Sequence, residues 1–406
     1  MPSPIKLKRS LTLPMMVLYG LGTTIGAGIY ALIGELAGIS GYLAPAAFLL
    51  ACLLAGLTAF SFAELSGRYP KAAGAALYTQ KGLSIKWLST LVGLLVISAG
   101  LVSSAALINA FSGYLNQLIS LDRALIIIVT VLLLGALAAK GIVESVLITI
   151  TMTLTGILGL LIIILVGYDV LGQLPERWSE FVPNADFTSW GFIFAGTLLA
   201  FYAFIGFEDM VDVAEEVKDV QRNLPLAIII TLIITVTLYM VIMFIAILSI
   251  PPVEIAQSKA PLATLYSFHT GQEATLISFI GMFAIIDGAL IQIIMASRVL
   301  YGLSCRGQLP ALLGRVHPRT QTPLYATAIA VICVLTFALI GRLGSLAELT
   351  SLLMLTVFSL VNLSLWRIKK WQPDSGSLIN LPRWVPLFAF IVSSTFVLIE
   401  LYKVIF

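Results

Sequence analysis

The most constraining feature of this chain is a succession of apolar runs, each of them long enough to cross a lipid bilayer. A transmembrane helix needs about 20 mostly apolar residues. Hydrophobic residues make up 59% of the 406 residues and charged residues only 11%, whereas a soluble domain has about 25% charged residues. Transmembrane β-strands would appear instead as short segments of alternating polarity. The sequence therefore predicts an all-α integral membrane protein.

Eleven of these runs are predicted to be transmembrane helices, and the joins between them are too short for a separate soluble domain. The whole chain, residues 1–406, is therefore expected to form one transmembrane domain. The predicted spans, numbered 1 to 11, are residues 13–38, 42–66, 87–115, 123–140, 143–168, 190–214, 224–250, 273–303, 323–341, 346–366 and 384–404.

The distribution of lysine and arginine predicts the orientation of the chain. If the N-terminal segment with Lys6, Lys8 and Arg9 is cytoplasmic, 18 of the 23 basic residues fall on the inner side. Cytoplasmic loops are enriched in lysine and arginine, so the N-terminus is expected in the cytoplasm and the protein in the cytoplasmic membrane. Eleven spans then place the C-terminus outside. Whether a twelfth helix is missing is left open by the sequence. The five outer basic residues are Arg123, Arg177, Lys259, Arg342 and Lys403.

Span 1 contains the segment LYGLGTTIGAGIYALIGELAG, residues 18–38, whose middle is poor in helix-forming residues. Glycine costs about 1 kcal/mol relative to alanine inside a helix, which predicts an interruption between Gly22 and Gly28. The alternative is that Gly22 and Gly26 form a small-residue pair for close helix packing.

Span 6 has a second interruption, which favours the first interpretation. It reads FAGTLLAFYAFIGFEDMVDVAEE, residues 194–216, and the helical pattern fails near 203–207. Spans 1 and 6 begin two sets of five helices, residues 13–168 and 190–366, whose odd number gives them opposite orientations. This pattern predicts two inverted repeats, as in secondary transporters with binding sites at broken helices, with 384–404 as a peripheral helix.

A broken helix leaves backbone N–H and C=O groups without partners, and inside a membrane these must face protein or water. The N–H groups that begin a half-helix suit a carboxylate, while freed carbonyls suit an ammonium group. Paired breaks in spans 1 and 6 therefore predict a site for a zwitterion such as an α-amino acid.

Four motifs resemble those of the amino acid–polyamine–organocation transporters, especially bacterial relatives of the cationic amino acid transporters. They are TTIGAGIY (23–30), SFAELSGRYPKAAGAALYTQKGL (61–83), FYAFIGFE followed by AEEVKDVQRNLP (201–225), and RVLYGLSCRGQLPALLGRVHPRTQTP (298–323). The resemblance implies alternating access around a central site between the two inverted repeats.

The same resemblance implies where the substrate is held. Its carboxylate would meet backbone amides of the first break, and its amine would meet backbone carbonyls of the second. The implied substrate-binding residues are Thr24, Gly26, Ala27 and Gly28 in span 1, and Phe201, Phe204, Ile205 and Phe207 in span 6, with Phe204 and Phe207 as gate or pocket wall.

Ionisable residues at bilayer depth are candidates for coupling, because each costs at least ~2.5–3.5 kcal/mol there. Asp287 lies near the middle of span 8 and is expected to carry a proton or bind sodium, unless it is a structural carboxyl. Glu208 directly follows the second break and would sense the substrate amine, gate the site, or only compensate a helix N-terminus. Several relatives carry a lysine in span 5, where this chain has Gly156.

Taken together, the residues predict a secondary transporter of amino acids or related small amines, proton-coupled or exchanging. The alternative is a membrane sensor that binds an amino acid without moving it. No nucleophile–histidine pair or metal cluster is recognisable, so neither an enzyme nor a metal site is expected, and no cofactor beyond a coupling proton or sodium ion. The expected partners are the substrate and the bilayer, and no nucleic acid. The sequence does not indicate the oligomeric state.

Glu64 and Arg68, four residues apart, are expected to form a helical ion pair or, by resemblance, part of an inner gate.

Overall fold

The computed structural model describes residues 9, 11–71, 74–140, 146–305, 307–318, 320, 322–373 and 378–405. Some residues used to predict the spans and the orientation lie outside this part: residues 143–145 of span 5, Lys6, Lys8, Arg306 and Arg319. The described residues contain no β-strand, only one isolated bridge between Leu11 and Val217. The described part of the chain is therefore all-helical, as predicted.

The helices are α1 (Leu13–Thr24), α2 (Ala27–Tyr30), α3 (Leu32–Ser40), α4 (Ala44–Arg68), α5 (Gly74–Leu83), α6 (Lys86–Leu118), α7 (Arg123–Lys140), α8 (Val146–Gly167), α9 (Leu174–Phe181), α10 (Phe187–Tyr202), α11 (Val220–Ser249), α12 (Pro252–Ile255), α13 (Pro261–Thr270), α14 (Thr275–Cys305), α15 (Leu324–Ile340), α16 (Leu343–Trp371) and α17 (Trp384–Ile405). The described residues also form four 3₁₀ segments: Gly41–Leu43, Tyr168–Gln173, Phe207–Glu216 and Ala311–Gly314.

Eight helical stretches of the described chain are long and apolar enough to cross a membrane by length and composition. Two shorter apolar helices, Arg123–Ala139 and Leu324–Ile340, fall on predicted spans 4 and 9. The broken span 1 begins with α1, which has only 12 residues. The integral membrane class is thus confirmed, while the number of spans stays a prediction.

Helix α6 lies at the centre of the helix packing, against α14 and α16. Lipid tails are as apolar as leucine, so membrane helices associate through close packing of small residues rather than by a hydrophobic driving force. The middle of α6 follows this rule, because Ser103, Ser104, Ala105 and Ala106 are all buried. The Ser104 hydroxyl donates a hydrogen bond of 3.0 Å to the Ala289 carbonyl of α14, which holds the two helices together at mid-length.

Glu64, at the end of α4, joins three parts of the fold. Its buried carboxylate pairs with Arg68, as expected from the spacing, and also with Lys369 of α16, with N–O distances of 2.5 Å in both pairs. It also accepts the Leu381 N–H at 2.9 Å. The Lys369 ammonium donates to Asn380 Oδ1 at 2.6 Å. The sequence spacing predicted only the first of these contacts, because Lys369 lies 305 residues away.

Replacing Glu64 with glutamine is expected to lower the melting temperature in detergent, because Arg68 and Lys369 would keep their buried charges without a counter-charge. Breaking a buried pair in this way costs about 3–5 kcal/mol. The matched control is Glu180→Gln, which breaks a partly exposed pair with Arg177 worth about 0–1 kcal/mol. Thermal unfolding of the purified variants measures both changes.

The double variant Glu64→Gln/Lys369→Met should recover part of the lost stability, because it removes one uncompensated charge. Equal melting temperatures for Glu64→Gln and Glu180→Gln would contradict the assignment.

Candidate functional site

The predicted interruption of span 1 is present and is narrower than expected. Helix α1 continues through Gly22 to Thr24, Ile25 and Gly26 are not helical, and α2 starts at Ala27. A second interruption at Ala31 separates α2 from α3. Gly22 therefore lies inside a helix, because its neighbours keep enough intrahelical hydrogen bonds to outweigh its low propensity.

The predicted interruption of span 6 is also present. Helix α10 ends at Tyr202, and residues 203–206 form a turn. Gly206 has a φ of 127°, a conformation that is essentially restricted to glycine. The second half of span 6 differs from the expected α-helix, because Phe207–Glu216 is a 3₁₀ segment of 10 residues. Such runs rarely exceed 3–4 residues and often mark a hinge or strain.

The two interruptions touch each other through their glycines. A Cβ added to Gly28 would lie 2.5 Å from Ala203 Cα, and one added to Gly206 would overlap the Thr23 carbonyl. The Thr23 hydroxyl lies 2.9 Å from the Gly206 carbonyl oxygen and can donate to it. The breaks in spans 1 and 6, which are about 180 residues apart, therefore form one continuous structure.

Two buried tyrosines satisfy backbone carbonyls of span 1 beside the first break, and a third, in span 1 itself, bonds a carbonyl of α8. The Tyr239 hydroxyl donates to the Thr24 carbonyl at 3.0 Å, and the Tyr114 hydroxyl donates to the Tyr30 carbonyl at 2.6 Å. Tyr30 itself donates to the Gly156 carbonyl at 2.6 Å. An unsatisfied polar group in the membrane interior costs several kcal/mol, so these hydroxyls stabilise the interrupted backbone. These tyrosines were not predicted as site residues, although a tyrosine inside an apolar span indicates a polar partner for its hydroxyl.

A small cavity of about 30 Å³ lies between the breaks. This space suffices for one or two water molecules and is too small for an amino acid, so the cavity has to widen before it can admit one. The cavity is lined by residues of both breaks, α6 and α14: Gly22, Thr23, Thr24, Ile25, Gly26, Gly28, Ser103, Leu107, Tyr202, Ile205, Asp209, Gly288, Ile291 and Gln292.

Four of the eight predicted substrate-binding residues line this cavity, namely Thr24, Gly26, Gly28 and Ile205. Ala27 supplies the first backbone amide of α2 beside them. The other three, Phe201, Phe204 and Phe207, are not among the lining residues.

The rings of those three phenylalanines belong to a buried aromatic cluster instead. Phe204 packs edge-to-face on Phe48 at 5.8 Å, and both Phe201 and Phe207 pack on Phe358. The Phe201 carbonyl accepts the Phe204 N–H at 3.0 Å. In this structure the three rings pack in the aromatic cluster beside the second break, outside the cavity lining. Their part in gating or substrate binding stays a prediction.

Five polar residues that line the cavity were not among the predicted site residues, namely Thr23, Ser103, Tyr202, Asp209 and Gln292. The hydroxyls of Ser103 and Tyr202 lie 3.0 Å apart. The Gln292 amide donates to Asp209 Oδ2 at 3.4 Å. A signal for Gln292 was present, because it is a polar residue in the apolar span 8, five positions after Asp287. The pairing with Asp209 had no such signal, since it joins α14 to the 3₁₀ segment.

The second break carries two adjacent buried carboxylates. Glu208 accepts the Gly206 N–H at 2.9 Å and so caps the turn, which fits the helix-end interpretation of this residue. Asp209 instead lines the cavity. No salt bridge joins either carboxylate to a cation within the described residues. Buried charges need compensation, so this end of the cavity favours a proton or a cationic group of a ligand.

Gly156 and the part of α14 that carries Asp287 both lie near the first break. A Cβ on Gly156 would be 3.4 Å from Ala284 Cβ and 3.8 Å from Ile25 Cγ2. Gly156 therefore faces both the break and α14. Asp287 is half-buried in α14, three residues after Ala284 and directly before the cavity-lining Gly288. Because residues three apart share a helix face, Asp287 lies one turn from the position that Gly156 leaves without a side chain.

Comparison with known proteins gives a family match over nearly the whole chain, since the model of the amino acid permease family matches residues 11–404. The cationic amino acid transporter 2, vacuolar, of Arabidopsis thaliana is 30% identical over 92% of this chain and 62% of its own length. The branched-chain amino acid permease BcaP of Bacillus subtilis is 27% identical over 93% of this chain and 84% of its own.

The methylthioribose transporter of Bacillus subtilis is 27% identical over 94% of this chain and 85% of its own length. The chain spans about three fifths of the length of the plant cationic amino acid transporters that it matches, with shares from 58% to 66%. All of these relatives are named as transporters or permeases rather than as enzymes.

Proposed function

The chain belongs to the amino acid permease family, and from this membership we propose that it is a secondary active transporter of amino acids or related small amines. It moves them across the cytoplasmic membrane by alternating access. The observation that carries the proposal is the contact between two helix interruptions around a buried cavity. Binding sites of secondary transporters are typically built from such discontinuous helices.

The contacts between spans 1 and 6 support the proposed inverted repeats. Leu11, before span 1, exchanges backbone hydrogen bonds with Glu216 and Lys218 at the end of span 6. Further along, Thr23 meets Gly206 and Gly28 meets Ala203. Residue numbers rise in one span while they fall in the other, so the two spans run in opposite directions. We propose that the eleven spans follow this plan, with a cytoplasmic N-terminus and α17 peripheral.

The proposed substrate position uses both breaks. The substrate carboxylate meets the backbone amides of Gly26, Ala27 and Gly28, near the Thr24 hydroxyl, because the first N–H groups of a helix lack intrahelical partners. The substrate amine lies at the opposite end, near the Ile205 backbone and the Asp209 carboxylate. The cavity has to widen to admit a whole substrate molecule. The long 3₁₀ segment Phe207–Glu216 is the proposed hinge of that movement.

The carboxylate of Asp209 bears on the class of substrate. The relatives' names include cationic amino acids, branched-chain amino acids and methylthioribose. A buried carboxylate with no cation lining the same cavity favours a ligand that carries an ammonium group. We therefore propose an amine-containing substrate and a site with less affinity for a neutral sugar.

A ligand screen followed by transport assays tests the proposal. The purified protein is screened for thermal stabilisation by the twenty amino acids and common polyamines, since a bound ligand raises the melting temperature. The stabilising ligand is then followed in proteoliposomes under separate proton and sodium gradients. Gradient-dependent accumulation is the expected result. Stabilisation without accumulation or exchange would favour the alternative of a sensor.

Replacing Asp287 with asparagine is expected to change how uptake depends on pH or sodium, because we propose that this carboxyl carries the coupling ion. Uptake rates are measured across a pH series and a sodium series. The control is Glu273→Gln, an exposed carboxyl two residues before α14. A variant with the pH and sodium profiles of the parent protein would leave Asp287 a structural carboxyl.

A further inference from the structure

A wide basic cleft lies outside the central site, where α4 ends and α6 begins. Its volume is about 600 Å³, and its described lining contains four cations, namely Arg68, Lys71, Lys81 and Lys86. No carboxylate is among the described residues that line it. An adjoining cavity of about 290 Å³ shares Lys81 and adds Arg367. The cleft therefore concentrates positive charge in a concave space that has no role in the proposed transport site.

Three of these cations are available to a ligand. Arg68 is occupied, because its guanidinium bonds Glu64 and donates to the Gln372 carbonyl at 2.8 Å. Lys71, Lys81 and Lys86 are exposed. None of them takes part in a salt bridge within the part of the chain that the structure describes. Like charges held near one another repel, so an anion bound between them relieves that repulsion.

The cleft lies at the level where a membrane surface is expected. Lys86 begins α6, and Trp87 next to it has 68% of its surface exposed. Trp371 ends α16 beside the adjoining cavity and is 74% exposed. Tryptophan is enriched at membrane–water interfaces. On the predicted orientation this end of the helices is cytoplasmic, where the membrane surface carries anionic lipids that attract basic groups.

An apolar stripe descends from the cleft along α6. Trp87, Leu91 and Leu94 are all exposed, and their spacing of four and three residues puts them on one helix face. A ligand with an anionic head and an acyl chain matches a basic cleft that continues into such a stripe. A free phosphate ion would use only the cleft.

We propose that this cleft binds the phosphate group of an anionic phospholipid, held by Lys71, Lys81 and Lys86. Helix α5 forms one wall of the cleft and packs closely on α16, where a Cβ on Gly82 would lie 2.5 Å from Ser364 Cα. A bound headgroup links α5 to the start of α6 and stabilises this packing. The assignment of the cleft to the cytoplasmic leaflet rests on the proposed membrane orientation. The proposed lipid binding does not depend on which substrate is transported.

The test measures lipid binding without any transport assay. The full-length protein in a neutral detergent is titrated with phosphatidylglycerol or phosphatidylcholine, and its melting temperature is recorded. Phosphatidylglycerol is expected to raise the melting temperature more than phosphatidylcholine does. The variant Lys71→Gln/Lys81→Gln/Lys86→Gln is expected to lose that difference. The control Lys259→Gln/Arg342→Gln/Lys403→Gln removes the same amount of charge elsewhere and is expected to keep it.

Three results would overturn the proposal. One is an equal response of the parent protein to both lipids, and another is an equal loss of the response in both triple variants, which would indicate only net-charge attraction. The third is a titration with inorganic phosphate alone that gives the full stabilisation, which would assign the cleft to the free ion. Because transport is not measured, a failure here is distinguishable from a failure of the proposed transport activity.

Discussion

Replacing Gly206 with alanine is expected to weaken ligand binding strongly and to reduce transport with it. The residue has a φ of 127°, where a side chain costs about 1–3 kcal/mol in backbone strain. The added Cβ would also overlap the Thr23 carbonyl of the first break, and overpacking costs typically about 1–3 kcal/mol more. Both effects separate the two breaks. Together the two effects cost about 2–6 kcal/mol. Since each 1.4 kcal/mol is about tenfold in affinity, we expect affinity to fall by about 30-fold or more.

The matched control is Gly191→Ala in α10, the first half of the same span. A Cβ at Gly191 meets nothing within 4 Å, and alanine is the better helix former by about 1 kcal/mol. This variant should keep parental binding and transport. Gly28→Ala, whose Cβ would meet Ala203, should reproduce the Gly206→Ala defect from the other side of the contact.

Size-exclusion profiles and melting temperatures measure folding of these variants, and ligand-induced stabilisation measures binding. If Gly206→Ala elutes as a folded protein with parental affinity and uptake, the contact between the breaks is not the site.

Replacing Asp209 with asparagine is expected to weaken binding of every amine-containing ligand while the protein stays folded. The carboxylate lines the central cavity, and its described polar partner is the Gln292 amide. Asparagine keeps the shape of the side chain and removes the charge that compensates the substrate ammonium. Removing one member of a buried charge pair costs about 2–5 kcal/mol, so the affinity should fall by about 30-fold or more.

Asp219→Asn is the control for Asp209→Asn. Asp219 is exposed and has a φ of 44°, a conformation that asparagine also accepts, so neither folding nor binding should change. Isothermal titration of the ligand found in the screen measures both variants. Parental affinity in Asp209→Asn would show that the ammonium group is held elsewhere, by backbone carbonyls alone.

The sequence was sufficient for the membrane class and for both interruptions. Span length depends on the thickness of the bilayer core, which varies little around about 30 Å. The breaks at Gly26 and Gly206 depend on local backbone propensity, which glycine changes within a few residues. The exact limits were less predictable, because the continuation of α1 through Gly22 depends on hydrogen bonds to its neighbours. The 3₁₀ form of Phe207–Glu216 likewise depends on contacts with other helices.

Contacts between distant residues were not predictable from one sequence. Tyr239 and Thr24 are 215 residues apart in the sequence, and Glu64 and Lys369 are 305 residues apart. Nothing in the composition of either segment indicates its partner, since many hydroxyls and charges compete for the same role. The sequence shows that Asp209 is an acidic residue just after the second break. That its side chain lines the cavity depends on the 3₁₀ geometry of the segment Phe207–Glu216.

The sequence by itself determined that the chain is a helical membrane protein with glycine-weakened breaks in spans 1 and 6. These properties follow from lengths and propensities within about twenty residues. Only the tertiary structure decided that the breaks touch, that tyrosine hydroxyls satisfy their carbonyls, and that Asp209 rather than the phenylalanine rings faces the cavity. The physical reason is that these features arise from packing between helices, where the position of each side chain is set by residues far away in the chain.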